Sequence, residues 1–398
     1  MKHTMRWYGP NDGVTLMDLR QAGCTGVVNA LHQIPVGETW SKEAIQERID
    51  IIEEDNDKFS LLTWDVVESL PVHEDIKKGI DGKINYIENY KTSLRNLAAC
   101  GVTTVCYNFM PVLDWSRTQL AYQMPDGSYA LRFVYLDFAA FDLLILKRKG
   151  AEADYDKETQ ALAKARFNNM TEEDITTLKA AILQGLPGTD DAFSLASFQA
   201  LLDEYGEIGD KELRENLYYF MQQVGPVAAE VGVNLCIHPD DPPRPLIGLP
   251  RVLSTQDDIS QLMAAYNNPA NGLTFCTGSL GVRPDNDLVS IIQTFGSRIH
   301  FIHLRTTKRE VGSRNFHEAP HLDGDVDFYH VIEALLLEEK RRKNNNEKVT
   351  AIPMRPDHGH HFWSDGDRKY YPGYSYMGRL KGLAELRGME VAIKRQLS

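Results

Sequence analysis

Four short apolar stretches, LCIHPDD (235–241), LTFCTGS (273–279), IHFIHLR (299–305) and TAIPMRPDHGH (350–360), each carry a metal-binding residue type at or near the end. Those residues are His238, Cys276, His303 and Asp357. Each stretch has the length and composition of a β-strand, and one potential ligand per strand end is how a barrel builds a site at its C-terminal mouth. Side chains alternate between faces along a strand. His238 therefore shares a face with Cys236, Cys276 with Thr274, His303 with Phe301 and Arg305, and Asp357 with Arg355. If these faces point inward, the four ligands converge above a packed interior. The mixed nitrogen, sulfur and oxygen set excludes a magnesium or calcium cage and suits Mn, Fe(II), Co or Zn. Taken singly, a strand-end histidine is usually a satisfied polar residue and a lone cysteine a small buried hydrophobe. A closed structural zinc is the lesser alternative, since such sites favour several cysteines at short spacing.

Working outward, the same alternation runs through the chain. MRWYG, TGVVNAL, LTWDVVES and TTVCYNFM read as the first four strands. Helices are expected near Val14–Ala22, Lys42–Glu54 and Asn85–Ala99, then at Lys211–Val231, Asp257–Tyr266, Asp287–Phe295, Asp327–Lys343 and Ser375–Glu385. Eight strand–helix units predict parallel strands closed into a (β/α)8 barrel, one domain over residues 1–398. The pattern breaks at 111–210, where ETQALAKARF and EEDITTLKAAILQGL read as helices. This helical insertion follows the fourth strand, at the mouth, as a substrate wall or as peripheral decoration. Thr306–Asp325 is a second long mouth loop. EEKRRKNNNEK (338–348) reads as a solvated helix end.

Of 398 residues, 42% are hydrophobic, and the net charge is −13. No basic stripe stands out, which argues against a nucleic-acid partner. No apolar stretch approaches the ~20 residues of a membrane span, and the N-terminus lacks the apolar core of a signal peptide. Five scattered cysteines argue for a reducing cytoplasm rather than a disulfide framework.

Around the four ligands, further residues carry chemistry. In HPDDPPRP (238–245), the four prolines stiffen the loop, and Asp240 and Asp241 are either partners of a ligating histidine or solvated turn residues. In MRPDHGHHF, His358 follows Asp357 directly, which suits a general acid or base, while His360 and His361 read as loop residues. In YYPGYSYMGRL, Tyr374 sits in a Pro-Gly turn placed to deliver a phenol, with Tyr371 and Tyr376 as neighbours of the same type. Arg305 and Arg355 share the inward faces of ligand-bearing strands. Either suits a substrate carboxylate or a structural salt bridge.

MRWYGPND, TGVVNALHQIP, VVESLPVHEDIK, TVCYNFMPVLDW, HPDDPPRPLIGLPR, CTGSLGVRPDND, HLR and MRPDHGH occur in this order. Together they resemble the D-mannonate dehydratase family, from Trp7 to about Arg387, the insertion included. The likeness is to the barrel-type enzymes of hexuronate (glucuronate) catabolism, not to enolase-superfamily proteins with the same activity. The resemblance implies a xylose-isomerase-like barrel. It implies Mn2+ or Fe2+ held by His238, Cys276, His303 and Asp357, and proton transfer by His358 and Tyr374. The expected reaction converts D-mannonate to 2-dehydro-3-deoxy-D-gluconate and water. Asn108, in TVCYNFM, joins Arg305 and Arg355 as a candidate substrate contact. A homodimer is the expectation from base rates. A sugar isomerase or epimerase on the same fold is the competing enzyme, followed by a metallo-phosphoesterase. A non-enzymatic sugar-acid binder is the competing class.

Overall fold

A computed structural model of the protein describes residues 1–184, 194–206 and 208–397. The strands, in chain order, are β1 (Lys2–Arg6), β2 (Gly26–Asn29), β3 (Thr63–Glu68), β4 (Thr104–Tyr107), β5 (Gln119–Gln123), β6 (Tyr129–Phe133), β7 (Asn234–Ile237), β8 (Asn271–Cys276), β9 (Ile299–Leu304), β10 (Thr307–Arg309), β11 (Phe316–Glu318) and β12 (Pro353–Pro356). Eight of them close a barrel in the order β1-β12-β9-β8-β7-β4-β3-β2, every pairing parallel. This is the (β/α)8 architecture that the alternation predicts.

Strands covered on both faces must be apolar on both. Every residue of β2, β4, β8, β9 and β12 is buried. Inside the barrel, Val28, Val66, Cys106, Cys236 and Phe301 form their own small cluster. Cys236 and Phe301 lie two residues before His238 and His303, so the inward face is the one the strand reading selects. Outside, helices Lys42–Glu53, Lys83–Ala99, Asp210–Val231, Gln256–Ala265, Leu288–Phe295 and Phe328–Asn344 pack against the barrel in a much larger core. All five cysteines are unpaired.

Two helical expectations change. The last helix spans Tyr376–Leu397 rather than stopping at Glu385. Leu383, Leu386, Glu390 and Ile393 continue one buried face through a charged, glycine-bearing stretch. Glu390 is held there by the Met1 amino group and by His3, each at 2.6 Å. In EEKRRKNNNEK, Arg342 is buried rather than solvated, and its guanidinium donates to the Gly296 and Ile299 carbonyls.

Between β4 and β7, the expected helices are Lys157–Asn168 and Glu172–Leu183. Two strands, β5 and β6, accompany them. Residues 185–193 and 207 of the 111–210 stretch lie outside the described residues. β5 and β6 join β10 and β11, from the loop after β9, in an antiparallel sheet ordered β10-β11-β6-β5. Phe133 and Phe316 pair across it with stacked rings 5.5 Å apart. They anchor a second apolar cluster with Leu113, Phe138, Phe141 and Phe198. These strands are three to five residues long, too short for alternation to mark them in sequence.

Candidate metal centre and active site

His238 directly follows β7, Cys276 ends β8, His303 lies near the end of β9 and Asp357 follows β12. Register places Cys276 beside His303, and His303 beside Arg355. One ligand atom each from His238, Cys276 and His303 lies within 4.8 Å of the others. His238 Nδ1 sits 2.7 Å from the Pro239 carbonyl, which accepts its proton and leaves Nε2 bare. His303 Nε2 is a buried nitrogen without a hydrogen bond, although Glu68 Oε1 lies 3.2 Å away. Two imidazoles and a thiol at one point, with one buried nitrogen left without a hydrogen bond, fit a divalent transition metal.

Asp357 stands one step out from this triad. Its Oδ2 is 3.8 Å from Cys276 Sγ and 3.9 Å from His303 Nδ1. Burial pushes its carboxyl up, but Arg355, then His358 and Arg305, hold it well below the usual range. Arg305 Nη1 donates to it at 3.1 Å, and Arg355 Nη1 donates to its other oxygen.

Both candidate substrate arginines are engaged by protein carboxylates. Arg355 forks onto Glu68, Nε to Oε2 at 3.0 Å and Nη2 to Oε1 at 2.9 Å. Arg305 reaches Asp241 at 2.8 Å and Glu318 at 3.3 Å. Both still line a cavity of about 320 Å³ with His238, Asn108, Asp357, His358 and Tyr374. Asn108 lies just past β4 and hydrogen-bonds Asp114.

His358 and Tyr374 are brought together, their rings edge-on at 5.2 Å. A side chain at Gly359 would put Cβ 2.5 Å from the Arg379 and Gly378 backbone, so glycine is required between them. The Gly359 amide donates to the Gly373 carbonyl at 2.8 Å, tying the two loops. Tyr374 packs against Tyr8 at 5.1 Å, with the guanidinium of Arg379 5.5 Å from its ring and that of Arg355 5.9 Å. Burial raises its phenol, opposed by Arg355. Tyr371 packs on Tyr8 instead, and Tyr376 sits near Arg368. His360 is buried against the Glu318 carbonyl, while His361 is half-exposed.

Asp240 and Asp241 are both buried, so neither is a solvated turn residue, and neither bonds the His238 ring. Asp240 takes the Leu253 amide and the Ser254 hydroxyl. Asp241 takes Arg117, Nη1 to Oδ1 at 2.7 Å and Nη2 to Oδ2 at 3.2 Å. Arg117 also donates to Glu318 Oε1 at 2.8 Å. Glu68, Arg117 and Glu318 are site residues that the sequence reading missed. For Glu68 a signal existed: it lies two residues past Val66 on the inward face of LTWDVVES.

The D-mannonate dehydratase (UxuA) family model matches residues 1–398. The mannonate dehydratase of Marinomonas sp. is 55% identical over 397 residues, 100% of both chains. That of Chromohalobacter salexigens is 54% identical over 394 residues, 99% of each chain. The crystal structure of mannonate dehydratase from Streptococcus suis serotype 2 superposes with TM-score 0.77 at 33% identity, covering 100% of this chain and 94% of that one. A D-allulose 3-epimerase from Methylomonas sp., at 13% identity and TM-score 0.50 over 98% of both chains, shares the fold. Full-length agreement with the family model and with relatives above half identity leads to one conclusion: the chain belongs to the D-mannonate dehydratase family.

Proposed function

We propose that the chain removes water from D-mannonate at the barrel mouth, giving 2-dehydro-3-deoxy-D-gluconate, as a carbon–oxygen lyase of hexuronate catabolism. The observation that carries this reading is the His238–Cys276–His303 cluster beside His358 and Tyr374 in a chain of this family. His238, Cys276 and His303, with Asp357 as fourth donor, would hold Mn2+ or Fe2+. When bound, the metal supplies a Lewis acid that shares the substrate's negative charge as it grows.

The remaining chemistry belongs to side chains. The proton on carbon 2 is weakly acidic and needs a base. The hydroxyl on carbon 3 is a poor leaving group and needs a proton. His358 and Tyr374 divide these two transfers. The carbon 2 proton passes to one, the carbon 3 oxygen leaves as water with a proton from the other, and the enol formed tautomerises to the 2-keto acid. Arg305 and Arg355 line the cavity and attract the substrate carboxylate, while Glu68 and Asp241 fix the direction of their forks. Asn108 offers an amide to a substrate hydroxyl. A homodimer in the cytoplasm completes the proposal, the dimer on base rates and the compartment on five free cysteines.

The test is turnover of D-mannonate by metal-stripped protein resupplied anaerobically with Mn2+ or Fe2+, with the 2-keto-3-deoxy acid as readout. Metal-dependent product that His238→Ala abolishes supports the proposal. Absence of product from folded, metal-loaded protein overturns it.

A further inference from the structure

His358 comes from the barrel, but the group facing its Nδ1 does not. Glu318 Oε1 lies 3.1 Å from that nitrogen, and Glu318 is the last residue of β11. We propose that Glu318 is the positioning residue for His358, holding the imidazole with its proton on Nδ1 and its bare Nε2 on the Asp357 side. The inference rests on His358 being a proton-transfer group.

Three observations carry it. First, the ring cannot easily turn to find another partner. Tyr374 lies edge-on at 5.2 Å, Trp115 at 6.0 Å, and the backbone is fixed at Gly359, where no Cβ fits. Second, Nδ1 has two neighbours with opposite demands. Arg305 Nη1, at 3.5 Å, can only donate, and would require a bare Nδ1. Glu318 is nearer and can only accept while ionised. It is held as a carboxylate by two guanidinium groups, Arg117 on Oε1 and Arg305 beside Oε2. The tautomer is therefore decided by one carboxylate against one guanidinium. Third, Glu318 is itself clamped. Arg117 donates to Oε1 at 2.8 Å, Arg305 lies 3.3 Å from Oε2, and His360 Nε2 holds its carbonyl at 2.9 Å.

The carboxylate is thus delivered by the antiparallel sheet, not by the barrel. β11 brings Glu318, and the segment leading into β5 brings Arg117. With Nδ1 protonated, Nε2 offers a lone pair. When Nε2 takes a proton, the imidazolium lies against the Glu318 carboxylate. The same contact then serves His358 as base and as acid.

The test compares Glu318→Gln with wild type in two measurements. In metal-loaded enzyme, kcat should fall about 10²-fold with KM held within about threefold, the pattern of a lost transition-state contact. In metal-free, 15N-histidine-labelled protein, the His358 ring shifts, assigned with His358→Gln, should report Nδ1–H in wild type and move toward Nε2–H in Glu318→Gln. An Nε2–H ring in wild type, or full kcat in Glu318→Gln, overturns the proposal. Should Glu318→Gln fail to fold, Glu318→Asp keeps the charge, and Nε2–H in that variant with wild-type kcat overturns it equally. Full activity in His358→Gln would instead sink the catalytic reading of His358, whatever the tautomer.

Discussion

Arg117 is fully buried, and its guanidinium joins two buried carboxylates, Asp241 and Glu318. Replacing it with alanine leaves Arg305 as the one guanidinium facing Asp241 and Glu318, at 2.8 and 3.3 Å, beside the Ser279 hydroxyl on Asp241 and the His358 ring on Glu318. Stranding a buried charge costs about 3–5 kcal/mol, and the remaining Arg305 contacts put Arg117→Ala at the lower end, about 3 kcal/mol. At about 2.1 cal/mol/K of unfolding entropy per residue, over 398 residues, this lowers Tm by about 4 °C. The pH dependence supplies a second handle. Glu318 falls from 4.5 to about 2 in the folded protein, against burial and chiefly through Arg305. A depressed carboxyl stabilises above its unfolded pKa and loses that contribution as pH falls toward its folded one. The shift corresponds to about 3 kcal/mol, present at pH 6 and lost between about pH 4.5 and 2. Arg117→Ala removes part of the depression, so the Tm gap to wild type should narrow as pH drops from 6 to 3.5. Scanning calorimetry of both proteins across that range gives the comparison. An Arg117→Met variant as stable as wild type at pH 6, or a gap that widens toward low pH, would refute the reasoning.

Further outcomes are expected at the same mouth. Cys276→Ser keeps the fold but weakens metal binding by at least about tenfold, measured by competition with a chelator. Unchanged affinity would remove Cys276 from the donor set. Glu68→Ala frees the Arg355 fork and costs about 1.5–3 kcal/mol in urea unfolding, since a charged hydrogen-bonding partner is lost. Gly359→Ala should cut kcat while circular dichroism stays native, because the added Cβ meets only backbone and must move the His358 loop. An active Gly359→Ala enzyme would show that this loop tolerates displacement.

How much was legible from residues alone follows from where each group is anchored. His238, Cys276, His303 and Asp357 lie on or directly after buried strands, where a period of two fixes which side chains turn inward. Their convergence could therefore be read without coordinates, as could the barrel. The same rule reaches Glu68, on the inward face two residues past Val66, although a glutamate there carries no transition-metal signature of its own. Glu318 and Arg117 follow no such rule. Glu318 ends a three-residue strand and Arg117 lies just before β5, with its carboxylate partners 124 and 201 residues away, and nothing local in NFHEAP or LDWSRT marks a buried charge. Asp240 and Asp241 misled for a related reason. A proline-rich turn usually faces water, yet here the Leu253 amide and Ser254 hydroxyl bond Asp240, and Arg117 bonds Asp241. The arginines needed both alternatives kept open, since Arg305 and Arg355 line the cavity while bonding protein carboxylates.

The antiparallel sheet also bears on the order in which the molecule can become active. The donor triad needs only barrel strands β7, β8 and β9, which are consecutive in the barrel and joined by local strand–helix connections. The contact between Glu318 and His358 spans only 40 residues, but the strand that carries Glu318 is seated against β6, Phe316 opposite Phe133, and that pairing closes a far longer loop of chain. Contacts of long sequence separation form late. The protein should thus acquire its capacity to take up metal before its capacity to turn over substrate. During refolding, the two would emerge as separate kinetic events.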